Sequence, residues 1–413
     1  MKKFSNLLAA AAFAVCMGGG LSLLALSCSN ASNSPAIPAA VTPTQTGGTT
    51  NGGGNPAATA TYTVTFDTDG GSAVTSQTIT AGQKAARPAA EPTKSVGKTI
   101  YAFMGWYKSD LSAPFDFDSA INENTTIKAK WLEGFAKAAG ATVSGAVSGS
   151  QVFIADRTVA IPALYACDHE VTQGEYETYC KYGETAPSDT YGKGANCPAY
   201  NVSWYDAVVY CNLRSKAEGL EPVYKIGAET APTKWEGIVG NATDKWCGPA
   251  TKNSKWDYTD TGSGDADGGI QADFSKNGYR LPTEAEWEYL ARNKNVDSYK
   301  YSGSDTVGDV AWYGRNNGNK IHEVKTDKVD GKDSANGLGL YDMSGNVSEW
   351  CWDWVGMIET GTGVSGAPSG DSRISRGGNW CDIELNCQVA ARTSVGPEDR
   401  NDSLGFRVVR SAN

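Results

Sequence analysis

The feature that most constrains this chain is the stretch from Ser29 to Ala60, which offers almost nothing to bury. It consists mainly of Ala, Ser, Thr, Pro, Asn and Gly, as in "PTQTGGTTNGGGNPAATA". Such a composition cannot offset the entropy lost when the backbone is ordered, so residues 28–60 are predicted to form a disordered tether. Folded domains must therefore be built from the residues that follow.

Residues 1–27 have the basic, apolar and small-residue order of a secretory signal peptide. Lys2 and Lys3 precede an apolar stretch, and "LLALSCSN" resembles the processing site of bacterial lipoproteins. We therefore expect Cys28 to be lipidated and to anchor the chain to a membrane, at the outer membrane or cell surface. The alternative is a single spanning helix. It is disfavoured because three glycines interrupt the stretch and a span needs roughly 20 apolar residues.

The net charge of the chain limits the kinds of molecule that it can bind. The 413 residues carry a formal net charge of −10, and no run of lysine or arginine stands out. The phosphate backbone of a nucleic acid would be repelled, so we expect no nucleic-acid partner. A chain of this length predicts two domains with additional tails.

Cysteine usage leaves two structural possibilities open. Without Cys16 and Cys28, eight of the ten cysteines remain, and an even number in an exported protein permits disulfides. Buried free thiols are the alternative for several of them. The eight are Cys167, Cys180, Cys197, Cys211, Cys247, Cys351, Cys381 and Cys387.

Residues 61–132 are predicted to form a small β domain. Tyr62, Val64 and Phe66 alternate with threonines and lead into an Asp-Gly-Gly turn, which is a strand-and-turn signal. The segment resembles the B-repeat of internalins and other bacterial surface proteins in its "DGG" turn, its "GWY" block and its terminal "AKW". The resemblance implies a β-grasp-like spacer domain.

Residues 150–413 are predicted to form an irregular α+β domain. Thr172 with Glu175 and Thr283 with Glu286 have the spacing of a helix capping box, and Ser203 precedes an amphipathic stretch. Short strands, aromatic residues and Gly/Asp/Asn loops make up the remainder, a mixture typical of α+β folds.

Four ordered blocks connect this domain to a known family. "HEVTQGEY", "NGYRLPTEAEWEYLAR", "GLGLYDMSGNVSEWCWDW" and "RGGNW…LGFRVVR" resemble the formylglycine-generating enzymes, whose fold is a variant of the C-type lectin fold. The resemblance implies that fold. It implies the activity only if two cysteines can bind copper(I), because the same fold hosts unrelated functions.

The copper-binding positions of the enzymes are not both cysteine here. Counted from Gly377, they fall on Asp382 and Cys387, and Cys381 lies one residue early. Soft thiolates are what copper(I) requires, so no redox cofactor is expected. A copper-dependent oxidase acting on sulfatases remains the alternative function. The related iron-dependent branch needs a histidine cluster, which His169 and His322 cannot supply.

The block "LYDMSGNVSEW" resembles the calcium-binding loop of those enzymes. The matching positions are Asp342, Gly345, Val347 and Glu349, where two carboxylates and two backbone carbonyls would supply the oxygens that calcium prefers. The resemblance thus implies a structural Ca²⁺ ion. The alternative is a turn held by Gly345 and Asn346 without a metal.

The C-terminal block also resembles the variable proteins of diversity-generating retroelements, which share this fold. In those proteins the residues after "RGG" are rewritten at adenine-containing codons, and a lipid anchor, a tether and a spacer suit display at a surface. Random replacement of adenines in an AAC codon cannot produce Lys, Gln, Glu, Met or Trp. Glu384, Gln388 and Glu398 would accordingly be fixed.

The sequence therefore predicts a surface-displayed lipoprotein, not an enzyme, that binds an unknown protein or glycan through a diversified face. Gly377, Gly378, Trp380, Arg392, Arg400 and Phe406 would form the invariant scaffold. A structural surface protein without a dedicated ligand is a third possibility. The predicted variable positions are Cys381, Asp382, Ile383, Leu385, Ala391, Thr393, Ser394, Val395, Gly396, Asp399, Asn401, Asp402 and Ser403.

Overall fold

The computed structural model describes residues 59–144, 158–243, 245–257, 269–328, 331, 334–356, 366–367 and 369–412. The predicted signal peptide, Cys28 and nearly all of the tether lie outside the described residues. Within the described ranges, no helix combines the length and the apolar character needed to cross a membrane.

The repeat domain is a five-stranded sheet in the order β2-β1-β5-β4-β3, with β1 and β5 parallel and the other neighbours antiparallel. The predicted alternation is confirmed, since Val64 and Phe66 are buried beneath exposed threonines. In the Asp-Gly-Gly turn, Asp69 and Gly70 both have positive φ. The strands are β1 (Thr61–Asp67), β2 (Gln77–Thr80), β3 (Lys94–Val96), β4 (Thr99–Lys108) and β5 (Thr125–Glu133).

The terminal domain begins earlier than the predicted boundary at residue 150. After Gly134, with φ of 72°, the chain enters β6 (Phe135–Ala138), which pairs with β9 (Leu164–Cys167). Strand β9 also pairs with β18 (Val409–Ser411), so the two ends of the domain meet in one sheet. The sequence assigned residues 133–149 to neither domain, because the strand that pairs with residues 135–138 lies about thirty positions further along the chain.

The repeat packs directly on the terminal domain. The hydroxyl of Tyr165 donates to the carbonyl of Phe103 at 3.4 Å, and Lys98 donates to the carbonyl of Lys325 at 2.9 Å. Ala102 belongs to the main apolar cluster of the terminal domain. The repeat is thus part of one compact unit, in addition to any spacing role.

The remaining strands form small sheets around a central four-stranded one, ordered β16-β15-β14-β17. The central sheet contains β14 (Ser348–Trp354), β15 (Arg373–Arg376), β16 (Arg392–Val395) and β17 (Leu404–Gly405). The two-stranded sheets pair β7 (Ala141–Ser144) with β8 (Thr158–Ile161), β10 (Tyr224–Ile226) with β13 (Ile270–Ala272), and β11 (Val239–Asn241) with β12 (Lys245–Cys247).

The three predicted helix starts are confirmed. Thr172, Ser203 and Thr283 each accept the backbone N–H three residues later, and the acidic side chain at that third position accepts the N–H of the cap in return. This reciprocal pattern satisfies backbone donors that would otherwise be unpaired. The helices are α1 (Gln173–Tyr179), α2 (Trp204–Ala217), α3 (Glu284–Ala291) and the short α4 (Val307–Val310), with 3₁₀ turns at Pro232–Lys234 and Glu384–Cys387.

All eight cysteines of the terminal domain are free thiols. Seven are buried and Cys381 is exposed. Of the two possibilities, buried thiols therefore describe the structure.

Candidate ligand-binding face

Arg376, at the start of the C-terminal stretch 376–410, holds that stretch in place from the protein interior. Its guanidinium forms ion pairs with Glu288 and, at 3.1 Å, with Glu284, both on the fully buried helix α3. The same group donates to the carbonyls of Val389 and Ala391 at 2.8 and 2.7 Å. A single buried cation thus fixes the backbone on which the predicted variable residues stand.

Two further framework arginines also point inward. Arg392 donates to both oxygens of Glu284 at 2.6 and 2.7 Å, and Arg400 donates to both oxygens of Asp206 at 2.9 and 3.0 Å. Bidentate pairs of this kind are strong and directional. They hold the polypeptide in place without using any predicted variable side chain.

Arg407 completes the framework below the face. Its guanidinium donates to both oxygens of Glu349 at 2.7 Å and to the backbone carbonyls of Cys167 and Tyr341 at 3.0 and 2.8 Å. Burial lowers the pKa of Arg407, but the facing carboxylate of Glu349 outweighs burial and the net shift is upward. The group therefore stays charged in the core.

The glycine pair at the start of the stretch has a steric role. Gly377 and Gly378 have φ of 92° and 66°, a region that other residues rarely adopt. A Cβ on Gly378 would lie 2.6 Å from the carbonyl oxygen of Asn386. Trp380 follows, 8% exposed, and donates from Nε1 to the carbonyl of Asp402 at 3.0 Å. The hydrogen bond of Trp380 therefore connects the variable residues that begin at Cys381 with those around Asp402.

None of the thirteen predicted variable residues is buried. Six are partly exposed, and Val395 among them also packs against the main apolar cluster. Glu384, predicted to be fixed, is exposed as well, so exposure alone does not separate varied from fixed positions. Cys381, Ile383, Leu385, Thr393, Ser394, Asp399 and Asn401 are exposed, and Asp382, Ala391, Val395, Gly396, Asp402 and Ser403 are partly exposed.

The exposed side chains present mixed chemistry. Ile383 and Leu385 are 62% and 59% exposed, although both are large and apolar. Thr393 and Ser394 lie on β16, the outer strand of the central sheet. With about 4.8 Å between neighbouring strands, β16 and β17 are separated by roughly 14 Å, so the face is broad.

Comparison with known proteins identifies the terminal domain. Residues 134–412 match the model of the "Sulfatase-modifying factor enzyme 1-like domain", which covers more than half of the chain. The chain belongs to the sulfatase-modifying factor family. Residues 62–130 match the Listeria-Bacteroides repeat domain, as the sequence predicted.

The proteins that this chain resembles carry names that indicate different functions. A protein of Paenibacillus barcinonensis named chaperone protein LppX is 34% identical over 65% of this chain and 87% of its own length. The formylglycine-generating enzyme of Streptomyces coelicolor is 34% identical over 33% of this chain and only 48% of its own length. The structure of Treponema denticola variable protein 1 is similar with a TM-score of 0.50 and 30% identity, covering 68% of this chain and 96% of that one.

The copper-binding positions of the sulfatase-modifying factor enzymes do not provide two thiolates here. Cys387 is fully buried, and burial together with the nearby Asp382 raises the pKa of its thiol to about 12. Asp382 accepts hydrogen bonds from the backbone of Asn379 at 3.1 Å and from the side chain of Asn386 at 2.7 Å. Partial desolvation and the neighbouring carboxylates of Asp382 and Asp402 raise the pKa of the exposed Cys381 as well. The residues present do not fit a copper(I) ion.

The calcium-binding positions do not fit their ion either. Asp342 accepts from the ammonium of Lys328 at 2.7 Å and from the backbone of Lys325 at 2.9 Å. Both oxygens of Glu349 accept from Arg407. Protein cations thus pair with both carboxylates that a calcium ion would need, and Lys328 and Arg407 are fully buried, so neither can turn toward solvent to make room for the ion.

The backbone of the same loop is held by a residue that sequence reasoning missed. Glu170 accepts from the amide of Val347 at 2.9 Å and from the side chain of Asn346 at 2.7 Å. Burial and the nearby Asp342 and Glu349 raise the pKa of Glu170 well above its usual range. Gly345 donates its N–H to the carbonyl of Gly377 at 2.9 Å, which links the loop to the variable stretch. The turn alternative therefore matches the contacts seen.

Proposed function

We propose that this protein is a surface-displayed lipoprotein that binds protein or glycan ligands through its variable face, the surface formed by the thirteen predicted variable residues between 381 and 403. We also propose that it does not oxidise cysteine. One observation carries the proposal. The predicted variable residues lie at the surface, whereas the framework arginines between and beside them pair with internal carboxylates. Side chains on such a scaffold can change without loss of the fold.

The similarity to Treponema denticola variable protein 1 supports this proposal, since it extends over 96% of that chain. Lipidation at Cys28 and display at the outer membrane or cell surface belong to the same proposal and rest on the N-terminal sequence. The departure at Asp382 and the raised pKa of the buried thiol of Cys387 favour binding over copper-dependent oxidation.

A library experiment tests the proposal. The seven exposed positions are randomised together in the displayed full chain, and a matched library randomises seven buried positions on β14 and β15. We expect most members of the first library to resist protease and most members of the second to be degraded, because surface substitutions usually change stability by less than about 0.5 kcal/mol each. Selection on two unrelated immobilised proteins should then enrich different face sequences. Equal loss of folded members from both libraries would refute the proposal.

A chaperone role is a second candidate, because the Paenibacillus relative carries that name. Ile383 and Leu385 are exposed apolar side chains of the kind that contact unfolded chains. The test is suppression of the thermal aggregation of citrate synthase by the wild-type chain and by an Ile383→Ser/Leu385→Ser variant. Suppression by the wild type that is lost in the variant would favour this role, and no suppression would exclude it.

A further inference from the structure

A second group of reactive side chains lies outside the variable face, where β9 ends. Cys167, Asp168 and His169 are consecutive, yet their ligand atoms all lie within 4.8 Å of one another. The thiol sulfur of Cys167 is 3.6 Å from Nδ1 of His169, which is 2.5 Å from Oδ1 of Asp168. Side chains of consecutive residues on a regular strand would point to opposite faces, so the chain must bend here.

Backbone contacts on both sides hold this bend. Cys167 donates its N–H to the carbonyl of Val408 at 3.0 Å, and Asp168 donates its N–H to the carbonyl of Gly134 at 2.8 Å. The carbonyl of Cys167 accepts from Arg407 at 3.0 Å. The three side chains are therefore brought together by contacts that do not involve their own functional atoms.

The three donors are those that zinc prefers. Zinc binds thiolate, imidazole and carboxylate in tetrahedral geometry, and its usual bond lengths place sulfur and nitrogen ligands about 3.5 Å apart. The observed separation between the sulfur of Cys167 and Nδ1 of His169 is 3.6 Å. Two of the ligand atoms thus already have the spacing of a zinc site.

Asp168 has an oxygen atom without a partner. Its side chain is fully buried, and Oδ1 takes the contacts with both His169 and Lys325, at 2.5 Å each. Oδ2 is buried and accepts no hydrogen bond. An unsatisfied buried carboxylate oxygen is costly and calls for an explanation, and an unfilled coordination position supplies one.

The second ring nitrogen of His169, Nε2, faces a carboxylate, as is common for histidines that bind metals. Nε2 of His169 lies 3.3 Å from Oε2 of Glu175, and the capping box at Thr172 fixes that carboxylate. Histidine ligands commonly donate their other N–H to a carboxylate, which orients the ring and makes the ligating nitrogen more basic. Glu175 would be this supporting group.

The local charge admits a divalent cation. When the cluster binds a metal, Cys167 is a thiolate and His169 is a neutral imidazole. The negative charges of Cys167, Asp168 and Glu175 then face the positive charges of Lys325 and Arg214. Lys325 is 16% exposed at its side chain and can turn toward solvent when Asp168 binds a metal. The anions therefore outnumber the cations at this position.

The cluster is also accessible. The side chain of His169 is 15% exposed, and the neighbouring residue is Gly134, which has no side chain to cover the imidazole or Asp168. The imidazole of His169 is therefore the solvent-facing edge of a cluster whose other two members, Cys167 and Asp168, are buried.

We propose that Cys167, Asp168 and His169 bind a zinc ion at a site separate from the variable face. Sulfur, nitrogen and oxygen each supply one ligand, and water fills the remaining tetrahedral position. The ion would hold the bend that follows β9, next to Glu175 of α1 and beside the junction with the repeat domain at Gly134.

The test uses the full chain, kept reduced and freed of metal, with zinc content measured after dialysis against limiting zinc. Cobalt substitution adds a second measurement, because a thiolate-to-cobalt charge-transfer band reports a sulfur ligand directly. The chain has two histidines and one exposed cysteine in the terminal domain, so His322→Gln and Cys381→Ser are matched controls for His169→Gln and Cys167→Ser.

We expect one zinc per chain and a cobalt band that Cys167→Ser abolishes. His169→Gln should weaken zinc binding by more than the 10- to 100-fold typical of lost supporting groups, and both controls should bind as the wild type does. Since Cys167 is buried and its variant could fail to fold, the partly exposed His169 provides the second variant. Absence of stoichiometric zinc, unchanged affinity in folded His169→Gln, or loss of zinc in Cys381→Ser would each overturn the proposal.

Discussion

The ammonium of Lys328 lies 2.7 Å from the carboxylate of Asp342, and the side chains of both residues are fully buried. The sequence resemblance placed a calcium ion at Asp342, whereas the structure places a protein cation there. Because Lys328 balances the charge of Asp342, we expect the loop to keep its conformation without a bound metal. The pair can be tested separately from ligand binding.

Removing the ammonium should destabilise the domain. Lys328→Ala leaves the buried carboxylate of Asp342 unpaired, and breaking such a pair typically costs about 3 to 5 kcal/mol. The exposed Lys320→Ala is the control and should change the free energy of unfolding by less than about 0.5 kcal/mol. Urea denaturation measures both.

The wild-type chain should in addition melt at the same temperature with calcium and with a calcium-selective chelator. An ion that binds only the folded state would add about 2.7 kcal/mol of stability at a hundredfold excess over its Kd. A melting temperature that rises with calcium, and no longer does so in Asp342→Asn, would restore the calcium site.

Substitutions on the variable face should leave the fold nearly intact. The triple variant Ile383→Ala/Thr393→Ala/Ser394→Ala removes exposed side chains only, and we expect a total loss below about 1.5 kcal/mol. Trp380→Ala creates a cavity under the same face and should cost roughly 3 to 5 kcal/mol. If the triple variant unfolds as readily as Trp380→Ala in denaturant, these residues are part of the core and the diversified face is wrong.

Asp353 should make stability fall as the pH rises through the acidic range. Burial and the neighbouring Glu284 raise its pKa to about 7, against an ordinary value of 3.8. Between these two values the folded state binds more protons than the unfolded state, so increasing pH removes stability over that window, by roughly 3 to 4 kcal/mol in total. The slope of unfolding free energy against pH should be smaller in Asp353→Asn, and an identical slope would contradict the shifted pKa.

The protein should not convert cysteine to formylglycine. Cys387 is buried as a thiol and Asp382 holds the other copper-binding position. Incubation with copper(I), oxygen and a sulfatase-motif peptide should yield no aldehyde by mass spectrometry, with a formylglycine-generating enzyme as the positive control. Turnover that is lost in Cys387→Ser would overturn this assignment.

Lipidation should depend on Cys28 alone among the ten cysteines. In cells fed labelled palmitate, the wild-type chain should incorporate label and partition into detergent, whereas Cys28→Ala should do neither. Cys16→Ala is the matched control and should behave as the wild type. Label that persists in Cys28→Ala would exclude the proposed anchor.

Local features of this protein followed from the sequence because their physical causes act over a few residues. The cap at Thr283 and its partner Glu286 are three positions apart, and the alternation of Val64 and Phe66 belongs to a single strand. The family blocks revealed the fold in the same way. Glycines and arginines of the C-terminal stretch could be recognised as framework because their types are specialised for backbone turns and paired charges.

Tertiary structure alone decided which groups meet. Lys328 reaches Asp342 across 14 positions, Arg407 reaches Glu349 across 58, and Arg400 reaches Asp206 across 194. No local pattern encodes these pairs, because they depend on how the sheets close the chain on itself. For the same reason the sequence left open whether Asp342 and Glu349 bind a calcium ion or belong to a metal-free turn, whereas the fold pairs both carboxylates with buried protein cations.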